Sequence, residues 1–248
     1  MQLPVGWAQE ADSAHAVENA YSAPLQSPLF LHKKELKPSA YTAPYSAFKN
    51  NFDSRQFWKS TGVLLGYSVA SMVVLFCLPE DVTAWDLSEA NPKGWAKNWP
   101  ENVWYKGPER DSDILWINAT HAYAGIAYYN AARGSGLNIP LSFAYTVFFS
   151  TCVWEMGMEA MMEPPSWQDL IGTPLYGMVF GEALYIAKRA IVANDYEVLN
   201  SKALGFTLAF LCDPANELAY YLSGGHYKQS DHLTLQFSPI NFSLSIKF

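Results

Sequence analysis

The spacing of apolar and polar positions divides the chain into a polar opening stretch, several long apolar runs and a closing segment of period two. Residues 1–53 are rich in Ser, Ala, Pro and Tyr without a sustained period, which predicts an extended N-terminal arm able to drape over the rest. Capping residues in "DSRQFW" predict a helix from about Ser54, and the 20 residues between Lys59 and Glu80 carry no formal charge, as a membrane-spanning helix would. Gly62, Gly66 and Ala70 recur at four-residue spacing there, a pattern that lets a second helix approach closely. Two more uncharged runs, Ile114 to Ala132 and Gly134 to Trp154, flank "RGSG" and predict a helical hairpin with Arg133 at its turn. A fourth helix is expected from Pro174 to about Asn194, capped by Thr173, with "GMVFG" as a close-approach face. A short fifth, from about Ser201 to Cys212, stops at "DP".

Between these runs, residues 80–113 set Trp85, Trp95, Trp99 and Trp104 among Pro, Asn and charges. That suits a loop at a membrane interface, and equally a surface loop whose indoles pin it to a core. At the C-terminus Leu233, Leu235 and Phe237 alternate with polar residues, and so do Ile240, Phe242, Leu244, Ile246 and Phe248, which predicts a β-hairpin over 230–248. A closed barrel needs at least about eight strands, so the hairpin alone makes none. The expected fold class is mainly α: a membrane-associated helical bundle of four to five helices over 54–223, with the N-terminal arm and the C-terminal hairpin as appendages. A soluble bundle with a very apolar core is the competing reading, because Asn118, His121, Asn130 and several glutamates interrupt the runs.

Composition strengthens the lipid reading. Charged residues make up 16% of the chain against about 25% in soluble domains, while aromatics reach 15% with nine Trp. The net charge of −7 and the lack of a Lys/Arg block beyond "HKKELK" exclude nucleic acid as a partner. Cys77, Cys152 and Cys212 sit far apart in apolar runs and read as buried thiols. "LPVGWAQEADSA" resembles the remnant of a secretory signal peptide, with a cut expected after Ala8, and points to the cell envelope.

The candidate chemistry is a set of polar residues in apolar surroundings. At helical spacing Asn118, His121 and Tyr128 fall within about 80° of one another. Glu155 and Glu159, four apart, stack on one face of the next helix with Glu163 beyond them. Two carboxylates in an apolar setting cannot both ionise freely, so one has a raised pKa unless a cation stands opposite, and His121, Arg133, Lys188 and Arg189 are the available partners. Three readings stay open: hydrogen bonding that fixes helix register, acid–base chemistry, and a metal site. Neither Glu-x-x-His nor His-Glu-x-x-His occurs, so no metal and no cofactor are expected. Ser166 with Asp169 forms a Ser-x-x-Asp capping box, and "CDPANE" reads as a helix stop and restart.

From His121 through Glu217 the chain resembles DUF3943, an uncharacterised bacterial domain family. The residues that carry the likeness are "WEMGMEAMMEPPSWQDLIGTPLYGMVFGE" and, more weakly, "DPANE". A fainter similarity, through His121, Glu155, Ser166, Trp167, Asp169 and Leu170, extends to small envelope lipoproteins and antibiotic-resistance-type membrane proteins. The resemblance implies a cell-envelope location, with the outer membrane or periplasmic face favoured, and supplies no reaction. Two functions follow as expectations. One is a structural or interaction component that contacts the lipid bilayer and packs with a second copy or an envelope partner protein. The other is an enzyme acting on a lipid or lipid-linked headgroup, with His121, Glu155 and Glu159 catalytic and Asn118, Arg133, Asp169 and Glu182 binding.

Overall fold

The computed structural model describes residues 39–83, 85–110, 115–223, 233–238 and 241–246, without the side chains of 115–118 and of the last two segments. All of these lie in the unit Leu36–Phe248. The signal-like segment and most of the expected arm lie outside the described residues.

Helix α1 is Ser54–Cys77, started where Asp53 accepts hydrogen bonds from the N–H groups of Arg55 and Gln56. The Trp-rich stretch, expected as a loop, is largely helical: α2 (Glu80–Thr83), a 3₁₀ turn (Leu87–Glu89), α3 (Pro92–Pro100) and a π-helical turn (Glu101–Lys106). Asn91 caps α3 and Pro92 fits its first turn, so local chemistry makes a helix there. Helix α4 is Leu115–Arg133, and α5 is Ile139–Phe148, which continues as a π-helix through Phe149–Met158. Helix α6 is Trp167–Ala193, α7 Lys202–Cys212 and α8 Pro214–Leu222. The expected start of α6 at Pro174 is therefore corrected. Ser166 caps the helix instead, its Oγ accepting from the N–H of Asp169, and Pro174 sits inside it.

The fold class is corrected as well. The fold is mainly α, with eight α-helices among the described residues rather than four or five, and the expected C-terminal β-hairpin is not supported as a component of it. The pairing there is confined to two six-residue segments, Leu233–Ser238 and Asn241–Ile246, with no third strand among the described residues. Two strands with no sheet to join bury too little to be stable in water.

Helices α4, α5 and α6 run up, down and up, which sets α4 and α6 parallel in close contact. A Cβ at Gly125 would lie 2.1 Å from the Thr173 carbonyl oxygen, and one at Gly177 2.5 Å from that of Gly125, so only hydrogen fits in this seam. The other small-residue stripe does not act this way. Cβ atoms at Gly62 and Gly66 would meet open space, because that face borders an open apolar groove with Leu218 and Leu222 of α8.

On the two longest helices many buried positions are polar and many exposed ones apolar, although Leu64, Met72, Tyr185 and Val192 are buried too. On α1 the buried row is Gln56, Ser60, Leu64, Ser68 and Met72, while Leu65, Val69, Val73 and Val74 are exposed. On α6 Asp169, Thr173 and Lys188 are buried, and Ile171, Leu175, Val179 and Phe180 are exposed. Both helices are long and apolar enough to cross a membrane, yet only 22% and 28% of their most apolar windows are buried. The same geometry corrects the cysteines: Cys77 and Cys152 are exposed, since an apolar run has an outer face, and Cys212 alone of the three is buried.

Candidate functional site

Three elements converge on His121. It projects from α4, Glu155 from the π-helix after α5, and Asp169 from the first turn of α6. His121 Nδ1 lies 2.9 Å from Asp169 Oδ1. One ligand-capable atom from each of His121, Glu155 and Asp169 lies within 4.8 Å of the other two. The imidazole and a carboxylate of the expected pair are thus brought together, and Asp169, expected to bind, completes the group.

The backbone around the cluster explains this placement. Glu109 pairs through an isolated bridge with Ser166, and Ser166 N donates to Glu155 Oε2 at 3.1 Å. The expected capping box is therefore only half formed: Ser166 Oγ caps Asp169, but the N–H that such a box would return to Asp169 goes to Glu155. Asp169 is left facing His121. The Trp-rich segment clamps the π-helix from outside, with Trp99 Nε1 donating to the Met156 carbonyl, Asn102 Nδ2 to that of Ala160, and Trp85 Nε1 to Glu163 Oε1. Of the two readings of those indoles, pinning fits Trp85, Trp95 and Trp99, since Trp85 is buried and Trp95 stacks on Phe76, whereas Trp104 is exposed.

Glu155 is 1% exposed and Glu159 6%. Burial pushes the Glu155 carboxyl up to about 7 and the Asp169 charge raises it further, while the Ser166 N–H, His121 and a hydrogen bond with Glu159 pull it back. Glu155 is a proton-holding group near neutral pH in a cluster rich in acceptors.

Arg133 and Glu182, expected as binding residues, stand elsewhere. Arg133 is twelve residues beyond His121 on α4, about 18 Å along the axis, too far to meet an anionic group held at His121. Its Nε lies 2.9 Å from Glu182 Oε2 and a second nitrogen 3.2 Å from Oε1, a bidentate pair, and the same guanidinium donates to the carbonyls of Leu137 and Ser46. Tyr129 also donates to Glu182. This end of α4 holds residues 39–53 in place, helped by Arg189, which donates to the carbonyls of Ala40 and Ala43. The Asn118 side chain lies outside the described residues.

Sequence reasoning passed over a second polar core. Lys188 of α6 lies 3.2 Å from Asp213 Oδ2 and 2.7 Å from Glu217 Oε1, and all three are fully buried or nearly so. Tyr41 donates to Asp213, and Asn216 bridges α4 and α1 by donating to the Asn130 and Ala131 carbonyls and accepting from Gln56 and Ser60. The signal was present in "DPANE", where Asp213 is the helix restart anticipated, capping α8 at the N–H of Asn216 while its other oxygen meets Lys188.

Residues 107–215 match the family model described as Domain of unknown function (DUF3943). Over that segment the chain is similar to the DUF3943 family. No curated protein and no solved structure matches it. The DUF3943 segment takes in α4, α5, the π-helix, α6 and α7, and so contains His121, Glu155, Glu159, Asp169 and the Arg133–Glu182 pair, whereas Glu217 lies just past its end.

Proposed function

We propose that this protein is a membrane-associated component of the bacterial cell envelope, on the outer membrane or periplasmic face, with its outward apolar helix faces in lipid. Its buried polar groups lock helix register. The observation that carries this reading is the inverted distribution of polarity on α1 and α6, with Ser, Gln, Asp and Lys inside and Val, Leu, Ile and Phe outside. In water that arrangement would expose the apolar area that drives folding, whereas in a bilayer lipid covers it and buried polar side chains tie helices together. Residues Gly62 and Gly66 leave a groove beside α8 that suits a second copy or an envelope partner helix. The test is fractionation of cells expressing the full chain, followed by carbonate washing and flotation with lipid vesicles. Retention in the membrane pool after washing is expected; quantitative release as a soluble protein overturns the reading.

One observation favours the alternative of an enzyme on a lipid or lipid-linked headgroup. His121 and Asp169 stand 2.9 Å apart beside Glu155, the arrangement of an oriented acid–base imidazole. His121→Ala separates the two. A variant that keeps its fold and membrane retention but loses the cellular phenotype supports chemistry; loss of the fold supports the structural role.

A further inference from the structure

We propose that His121, Glu155 and Asp169 bind one divalent first-row metal ion, of the class that includes Zn²⁺ and Mn²⁺, and that this ion ties α4, the π-helix and α6 together. The donor set is one imidazole and two carboxylates from three elements, all in the bundle interior, with one donor atom of each within 4.8 Å of the others. Imidazole nitrogen with carboxylate oxygen suits borderline ions over Ca²⁺ or Mg²⁺, which take oxygen alone, and over Cu(I), which takes thiolate. Donors around such an ion stand about 3–4 Å apart when bound near 2.1 Å. The His121–Asp169 edge already meets that at 2.9 Å, and side-chain rotation of about 1 Å closes the longest edge.

A second observation points to a ligand in the same seam. Thr173 Oγ1 and Ser150 Oγ are buried and have no hydrogen-bond partner among the described residues, at exposures of 3% and 1%. Thr173 lies one turn beyond Asp169 on the same face of α6, where Gly125, one turn beyond His121, packs against its backbone. Ser150 is five residues before Glu155. In an α-helix such residues stand about 140° apart round the axis, but the i→i+5 bonding of the π-helix brings both onto one side. Both residues therefore stand about one helical turn from Asp169 and Glu155 on the same sides of their helices. Buried donors left this way destabilise the fold unless something fills their capacity. Waters or a hydroxide completing the coordination of an ion above them would do so, as outer-sphere partners do around metal sites.

The ligand set also accounts for the local geometry. The Ser166 N–H fixes the Glu155 carboxylate through Oε2, and the half-formed capping box leaves the Asp169 carboxylate turned toward His121.

The experiment uses the full chain purified in detergent, stripped with EDTA and titrated with Zn²⁺ by calorimetry, and in parallel with Co²⁺ read by visible absorption. About one ion per chain is expected, with the ligand-field bands of a site of nitrogen and oxygen donors and a raised thermal midpoint. Glu155→Gln and Asp169→Asn keep side-chain volume and should stay folded in EDTA while binding Zn²⁺ at least ~100-fold more weakly. Asp195→Asn, in a surface pair with Lys202, controls for adventitious acidic sites and should bind as the wild type does. Absence of a stoichiometric Co²⁺ spectrum in the wild type overturns the proposal. So does Zn²⁺ binding of unchanged strength in Glu155→Gln and Asp169→Asn. If either variant fails to fold, the wild-type Co²⁺ spectrum alone decides between these outcomes.

Discussion

Glu155 and Lys188 are the residues on which the interior electrostatics turn. The folded-state pKa of Glu155, about 7, lies above its ordinary value of 4.5, so the folded protein holds a proton that the unfolded chain has lost between those values. Stability contributed by the neutral carboxyl is complete below pH 4.5 and declines as pH rises toward 7. In EDTA, Glu155→Gln, which copies the neutral form, should flatten that decline. Thermal midpoints compared at pH 5 and pH 8 would check it, and equal slopes in variant and wild type would refute it. Lys188 makes the opposite case. It is a buried cation between two buried carboxylates, so Lys188→Met leaves both without it and should cost about 3–5 kcal/mol, read as a fall in the denaturation midpoint.

Among the elements, α4 and α6 depend on backbone approach, and the two glycine stripes make opposite predictions. Gly125→Val places a side chain against the Thr173 carbonyl and should destabilise the bundle by at least about 1–3 kcal/mol, with the helices splayed. Gly66→Val meets open space and should leave the monomer as stable as the wild type; any effect should fall on self-association or partner binding, measured by cross-linking. Four-residue spacing alone could not separate these cases, since it marks a face without saying what lies opposite. The π-helix was equally hidden: Phe149–Met158 reads as ordinary helix in its apolar pattern, and the contacts that Trp99 makes with its backbone and Ser166 with Glu155 come from segments distant in sequence or beyond its end. Capping, by contrast, was legible at Asp53, Ser201 and Asp213, passed over at Asn91 and Asn138, and misleading at Thr173, where Ser166 had already started the helix.

At the scale of the whole molecule the outward surface decides the environment. Charges placed there should act on partition more than on folding, so Val69→Asp combined with Val179→Asp, both residues exposed, should lower recovery with vesicles several-fold while the polar interior remains assembled. Circular dichroism alongside flotation checks both halves. What the sequence by itself determined was the helical class, the rough places of its apolar helices, and the fact that acids and an imidazole share an apolar region, because periodicity, capping and composition act over a few residues. Which of those groups meet was decided by tertiary structure. His121 found Asp169 and Glu155, while Arg133 and Lys188, expected as partners of the same centre, were drawn to Glu182 and to the Asp213–Glu217 pair. Those choices rest on helix direction and depth across more than twenty residues of chain, and a buried charge pairs with whatever opposite charge the packing places at its own level.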